Sequence, residues 1–382
     1  TMPAKTAFDK SPYAKAAREF GHHEERILVL QGGGALGAYQ AGVYEGLGAA
    51  GFAPNWVAGT SIGAINAALI AGNPAERRLD RLKESWDLVS SRAPEFTPLA
   101  GMDFMRPWLN LMSAASAAAF GIPGFYVPRV PPPALVPEGS ISALSYYDTE
   151  PLRETLNKLV DFDLINSGKV RLSLGAVNVC TGEAVYFDNT THTISASHVM
   201  ASGALPPAFP PSEIDGEWYW DGGIMSNTPL LHVAENPQIN ALIVQVDLFS
   251  GTGDLPRNMD QVAERAKDIQ YQSKQRFSAD KIRQIEELRS ALAEVLAHLP
   301  EGQRSDPNVK KLAAVSHRGP LSLVHLVNRH DTQSKNFKDY EFSRATVTDL
   351  WRGGRDDIRP LMTDPMACRV TELGNGVRTF DL

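Results

Sequence analysis

The sequence is poor in cysteine, in long apolar runs and in excess charge. Only two cysteines, Cys180 and Cys368, occur in 382 residues, and neither has a spacing typical of a metal site. We therefore expect reduced, structural thiols in a cytoplasmic protein, with a single disulfide as the less favoured alternative. No window approaches the roughly 20 apolar residues that a membrane span requires, so we expect a chain that does not cross a bilayer.

Charge excludes a further class of partner. The net charge is −7, with charges of both signs scattered along the chain, which argues against a nucleic-acid surface and against strong electrostatic attraction to anionic lipid. Peripheral hydrophobic contact with a membrane stays open. Residues 1–25 lack the apolar core of a signal peptide, so we expect a flexible N-terminal arm, with the histidines of GHHEER solvated and not a metal site.

Two strand-to-helix junctions follow the arm. RILVLQ (26–31) is typical of a buried strand, and the small residues of ALGAYQAGVYEGLGAAG predict a helix that packs close to a sheet. FAPNWVAGTSIGAINAALIAG repeats the pattern, with a helix that starts near Ile62. Such a βαβ unit predicts a parallel sheet covered by helices on both faces.

Downstream segments are less regular. Seven prolines between Pro107 and Pro137 favour irregular structure over residues 93–140, which we interpret as a surface excursion or, alternatively, a lid that contacts lipid. A hairpin turning at Thr181 and Gly182 and a strand over Ala241–Phe249 are expected next. These segments complete one α/β domain over residues 26–250.

Residues 251–382 are expected to form a C-terminal helical extension packed on that domain. Its charged stretch from Asn258 to Leu299 predicts a solvated helix pair broken near Ser278, with the interface of a homo-oligomer as the alternative. A late strand in PLSLVHLVNR and a final helix over Asp339–Leu361 are also expected.

The glycine loop QGGGALG suggests nucleotide binding at first sight. Gly32, Gly34 and Gly37 match the dinucleotide pattern GxGxxG after a strand and before a helix. The acidic residue that binds ribose is missing, however, because the second strand ends in VAGT. No Gly-Lys-Ser/Thr follows either, so a phosphate-binding loop and a nucleotide cofactor are disfavoured, and no cofactor is expected.

GTSIGA instead fits the nucleophile elbow Gly-x-Ser-x-Gly of serine hydrolases. Ser61 would be the nucleophile, and side chains at Gly59 or Gly63 would collide with the adjoining strand or helix. Both glycine-containing loops lie at the carboxyl edge of a parallel sheet, so the N–H groups around Gly33 and Gly34 can point above Ser61. We expect them to stabilise the oxyanion of an ester-cleavage intermediate.

A serine nucleophile needs a base. Asp221 in WYWDGGIMSNTPL follows a strand and precedes two glycines that leave its carboxylate accessible, although aspartate before Gly-Gly is often only a turn residue. The histidines that follow Asp221 lie outside Gly-rich loops: His232, His298, His317, His325 and His330. Direct activation of Ser61 by Asp221 is therefore favoured over a triad, and no metal is required.

The glycine loop, GTSIGA and DGG, together with ASGALPPAFPP ahead of the aspartate, resemble the patatin-like acyl hydrolases over about residues 26–250. The resemblance implies a three-layer α/β/α sandwich around a mostly parallel sheet. It also implies a Ser61–Asp221 dyad, an oxyanion loop of Gly32, Gly33 and Gly34, and phospholipase A-type hydrolysis of lipid esters.

Two further points follow from the resemblance. Leu36 stands where the family's loop usually has arginine, which puts the strength of catalysis and the preference for charged headgroups in question. The C-terminal part resembles the extension of a bacterial subgroup. Esters of short-chain or polymeric hydroxyacids, and a non-catalytic lipid-binding module, are the alternative interpretations.

Overall fold

The structure, a computed structural model, describes residues 22–91, 106–236, 240–316, 321–330, 338–359 and 378–381. Its helices and strands follow in chain order as β1 (Glu25–Leu30), α1 (Gly37–Ala49), β2 (Trp56–Thr60), α2 (Ile62–Ala71), α3 (Arg78–Val89), α4 (Arg106–Phe120), β3 (Val127–Pro128), β4 (Tyr147–Asp148), α5 (Glu150–Leu159), α6 (Phe162–Asn166) and β5 (Arg171–Asn178). They continue as β6 (Ala184–Asp188), α7 (Ala196–Ser202), β7 (Ser212–Ile214), β8 (Glu217–Asp221), α8 (Leu230–Glu235), β9 (Ala241–Asp247), α9 (Met259–Ala297), α10 (Pro307–Ser316), β10 (Leu321–Val327), α11 (Arg344–Asp357) and β11 (Arg378–Asp381).

A mostly parallel sheet forms the centre of the fold. In the described part of the chain it has nine strands in the order β11-β10-β9-β1-β2-β5-β8-β7, with β6 also paired to β5. All pairs from β11 across to β5 are parallel, whereas β6, β7 and β8 pair antiparallel. The carboxyl ends of β1 and β2, which carry the two predicted loops, therefore lie side by side.

The sheet separates two apolar layers, as the alternation of side chains along β1 requires. Leu28 and Leu30 join the larger cluster, which includes side chains of α1, α2, α3 and α11. Ile27 and Val29 face the opposite way and pack with side chains of α8 and α9. Because β1 and β2 are buried on both faces, their sequences are continuous apolar runs. The expected three-layer α/β/α sandwich is confirmed.

The C-terminal segment is joined closely to the first helix. A Cβ atom at Gly42 would collide with the backbone of Trp351, and one at Gly354 with the backbone of Tyr39, so α1 and α11 cross with their main chains nearly touching. Two hydrogen bonds flank the crossing, from the Tyr39 hydroxyl to Asp357 (2.7 Å) and from the Trp351 indole N–H to Glu45 (2.6 Å). The helix after the glycine loop is thus held by the C-terminal segment.

Three expectations need correction. Residues 106–120 form a regular helix, because Pro107 lies in its first turn, where no N–H is needed, and alanines dominate the rest. Helix α9 runs unbroken through Ser278, since no proline or glycine interrupts its 39 residues. The C-terminal extension is not only helical: the late strand expected in PLSLVHLVNR is β10, and β10 and β11 extend the main sheet beyond β9.

Some expectations fall outside the described residues, namely the N-terminal arm up to residue 21, Cys368 and His317. The arm ends before the expected boundary, because β1 already starts at Glu25. His23 is buried, not solvated, and its Nδ1 lies 3.0 Å from Asn240 Oδ1. Within the described ranges, no helix has the length and apolar character to cross a membrane.

Candidate active site

Ser61 lies in a strained turn between β2 and α2. Its φ of 56° and ψ of −124° are unusual for a residue other than glycine. The flanking glycines permit this turn, because a Cβ at Gly59 would meet the backbone of Gly63 and one at Gly63 would meet the carbonyl of Leu30. The close contacts on both sides of Ser61 therefore require glycine at these two positions.

The turn is braced from the segment that precedes Asp221. The N–H of Ser61 donates to the carbonyl oxygen of Ser202 (3.0 Å). The Ser61 nitrogen also lies 3.1 Å from the Oγ of Ser202. The Ser202 hydroxyl in turn donates to the carbonyl of Gly175 in β5 (2.6 Å). Two residues later, the carbonyl of Ala204 accepts from the N–H of Asp221 (3.0 Å). One short segment thus positions both candidate catalytic residues.

Asp221 is buried at the end of β8, with an exposed fraction of 1%. Its Oδ1 accepts from the N–H of Gly223 at 2.7 Å. Burial raises the pKa of Asp221 to about 7, although hydrogen bonds from the Ser61 hydroxyl and from Gly223 lower it. A carboxyl group whose pKa lies near neutrality can accept a proton at neutral pH.

The glycine loop is attached to the segment after Asp221. The N–H of Gly32 donates to the carbonyl of Asn227 (3.0 Å), and the Asn227 side-chain amide donates back to the carbonyl of Gly32 (2.9 Å). Because the N–H of Gly32 is already engaged, it is not available to an oxyanion. The expected donors are then Gly33 and Gly34, whose N–H groups donate to no backbone carbonyl within the described ranges.

A cavity of about 660 Å³, counted with its open mouth, lies over this edge of the sheet. Ser61, Asp221 and the three loop glycines line it. Most of its remaining wall is aromatic or aliphatic and includes Phe125, Tyr126, Leu205, Phe209, Phe249 and Tyr271. This lining favours an apolar ligand.

The C-terminal segment contributes walls that sequence reasoning missed. Tyr271, Asp339, Tyr340 and Phe342 all line the cavity. The carbonyl of Asp339 accepts from the N–H of Ala35 (2.9 Å), and its carboxylate pairs with Lys267 of α9 at 2.8 Å. Burial raises the pKa of Asp339, and Lys267 opposes that shift. These residues belong to no sequence motif. They reach the cavity only because the last third of the chain packs against the first domain.

Other residues singled out from the sequence lie elsewhere. Leu36 is buried in the main core and does not line the cavity. His232 stacks on Tyr186 with ring centroids 4.2 Å apart, and His325 pairs with Asp247. Neither histidine lines the cavity. Across the described ranges, no cluster of three or more His, Cys, Asp or Glu side chains is arranged to hold a metal ion.

Gly34 offers a test of the loop. Its φ is +55°, and an added Cβ would collide with the carbonyl of Asp339, so Gly34→Ala should displace the loop and lower kcat about 100-fold, as loss of an oxyanion donor does. The matched control is Gly48→Ala in α1, where a Cβ would meet nothing within 4 Å. Wild-type kcat in a folded Gly34→Ala variant would remove this loop from the reaction.

A serine in a strained turn between a parallel strand and a helix is the nucleophile elbow of serine hydrolases. A family model described as patatin-like phospholipase matches residues 28–234, and the chain therefore belongs to the patatin-like phospholipase family, a family of lipid-ester hydrolases. A second model, described as patatin phospholipase, matches residues 269–371 and accounts for the C-terminal extension.

Solved structures of other proteins are also similar to this chain. VipD from Legionella pneumophila is similar to this chain with a TM-score of 0.39 and 15% identity, over 89% of this chain and 66% of that one. The chain therefore spans just under two thirds of the length of that structure. No curated protein matches this chain.

Proposed function

We propose that this protein hydrolyses carboxylic esters of lipids through a dyad of Ser61 and Asp221. The observation that carries the proposal is that Ser61, in its strained turn, and the fully buried Asp221 line the same apolar cavity. Burial keeps the carboxyl group's proton affinity near the value that suits proton transfer at neutral pH.

The reaction has two steps. Ser61 Oγ attacks the acyl carbonyl carbon while Asp221 accepts the hydroxyl proton, and the resulting tetrahedral oxyanion collapses to an acyl-serine. The alcohol or lysolipid leaves with the proton that Asp221 returns to it. Water then attacks the acyl-serine, Asp221 accepts the water proton, and collapse of the second tetrahedral intermediate releases the fatty acid and regenerates Ser61 Oγ–H.

Gly33 and Gly34 stabilise both oxyanions with backbone N–H groups. Their loop is held by Asn227 on one side and by the Asp339 carbonyl on the other, so the donors need little reorganisation when charge develops. The N-terminus of α2, which begins at Ile62 directly after the nucleophile, adds a favourable dipole.

The cavity lining argues for an acyl chain as the recognised group. Aromatic and aliphatic side chains surround the space above Ser61, and each methylene group that they remove from water contributes about 0.8 kcal/mol. Leu36 provides no positive charge near the oxyanion, so recognition of the acyl chain is proposed to dominate over recognition of a charged headgroup.

Labelling by a lipid-like fluorophosphonate, followed by intact-mass analysis and peptide mapping, tests the proposal. A single adduct on Ser61 that is absent in Ser61→Ala and strongly slowed in Asp221→Asn is the expected result. Detergent is included so that the reagent reaches an apolar site. A folded wild-type protein that forms no adduct would favour a non-catalytic lipid-binding module instead.

A further inference from the structure

A second cavity lies directly behind the first. It lies between α2, α3 and α5 and has about 350 Å³ of empty space, counted with its opening to solvent. Four residues line both cavities: Ile62, Ile65, Phe125 and Phe342. Only a thin wall of side chains therefore separates the space above Ser61 from the second space.

Two phenylalanine rings form most of that wall. The rings of Phe125 and Phe342 meet edge to face with centroids 6.1 Å apart. Phe342 also stacks on Trp86, with ring centroids 6.4 Å apart. Trp86 lines the second cavity but not the first. Phe342 thus lies at the junction of the two spaces, and a rotation of its side chain would join them.

The second cavity has the chemistry of a site for an alkyl chain. Trp86, Val89 and Leu152 add to the four shared apolar side chains. Three polar side chains also line it: Asn66, Ser85 and Thr155. Two of them are engaged elsewhere, because Asn66 bonds to Gly37, Gln40 and Trp86, and the Thr155 hydroxyl lies within 3.0 Å of two backbone carbonyls. Apolar space with such walls favours hydrocarbon over water.

The position of Phe342 is set by the C-terminal segment. Glu341 is completely buried, and its carboxylate accepts from both the N–H and the hydroxyl of Ser343. Ser343 in turn caps α11 by accepting from the N–H of Thr346. Phe342 is therefore fixed between a buried carboxylate and a capped helix, and its ring reaches the cavities from outside the first family-model match.

We propose that the second cavity continues the acyl-binding channel, with Phe342 and Phe125 as the gate between its two parts. The inner part takes the far end of long acyl chains, whereas short chains end before the gate. The C-terminal segment then sets chain-length specificity through Phe342. This inference rests on the ester hydrolysis proposed above and adds the substrate class to it.

The test compares kcat/KM for p-nitrophenyl laurate and p-nitrophenyl butyrate in detergent. Val89→Phe fills the inner cavity, so the ratio of kcat/KM for laurate to kcat/KM for butyrate should fall about tenfold. Loss of the contacts to one methylene group in a hydrophobic pocket changes specificity on this scale. Phe342→Ala opens the gate and should raise that ratio by a similar factor. Val295→Phe, the same change on an exposed face of α9, should leave the ratio as in the wild type.

The outcomes separate the two proposals. Melting temperatures identify folded variants, and Phe342→Leu replaces Phe342→Ala in the assay if the alanine variant does not fold. Ester hydrolysis with a ratio within twofold of wild type in every folded cavity variant would overturn the extended channel and leave the dyad standing. A wild-type protein that cleaves neither ester would overturn the proposed function itself.

Discussion

Replacing Ser61 with alanine should lower kcat/KM for a p-nitrophenyl ester by at least about 1,000-fold, the scale on which loss of a catalytic serine acts in other hydrolases. The physical reason is the loss of the acyl-enzyme route, since Ser61 is the only serine in a strained turn among the residues that the structure describes. Any residual turnover would come from water activated at the same carboxylate.

The fold should survive this change. Alanine keeps the backbone hydrogen bonds of residue 61 to Ser202, so the melting temperature should stay within a few degrees of wild type. Ser305→Ala, at an exposed loop position, serves as the matched control and should retain full activity. Ester cleavage at the wild-type rate in Ser61→Ala would assign the reaction to a different nucleophile.

Asp221→Asn should separate activity from stability. The amide has the shape of the carboxyl group but cannot accept the serine proton, so kcat should fall by about 100- to 10,000-fold, the range for removal of a general base. The same change removes a group that is costly to ionise in the interior. We therefore expect a less active and, above neutral pH, more stable protein.

The pH dependence of this gain follows from the raised pKa of Asp221. In the unfolded chain the carboxyl group ionises near its ordinary pKa of 3.8, but in the folded protein it does so only near 7. Its favourable contribution to folding is therefore complete below about pH 4 and is lost as the pH rises to about 7. Asparagine does not ionise, so it escapes this loss.

The measurement is the melting temperature of wild type and Asp221→Asn at pH 5 and pH 8. The advantage of the variant should be larger at pH 8. Asp221→Ala is a poorer choice, because it also leaves a void and an unpaired N–H at Gly223. A variant with equal stability differences at both pH values would show that Asp221 does not hold the raised pKa that a buried base requires.

Much of the fold near the site could be predicted from short motifs. The continuous apolar runs of β1 and β2 predict buried parallel strands, and the glycines around Ser61 predict a tight turn, because these effects act over a few residues. The closeness of the two loops then follows from the geometry of a parallel sheet. The Gly33–Gly34 and Ser61–Asp221 assignments remain predictions that the experiments above are designed to test.

Contacts between residues far apart in the sequence could not be predicted from sequence patterns. No local signal indicates that β10 pairs with β9, or that Phe342 reaches the cavities beside Ser61. The engagement of Gly32 depends on Asn227, almost two hundred positions away. Helix α4 was missed for a different reason, because the prolines that follow it obscured an alanine-rich stretch that starts with a tolerated proline.

The position of β1 within the sheet affects when the site can form during synthesis. Strand β1 lies between β2 and β9, so one edge of β1 stays open on the ribosome until residues 241–247 have emerged. The wall formed by Asp339, Tyr340 and Phe342 arrives later still. During synthesis, the growing polypeptide therefore carries Ser61 long before it has an enclosed apolar chamber, and a nascent chain of this protein should be a poor lipase until translation has passed α11.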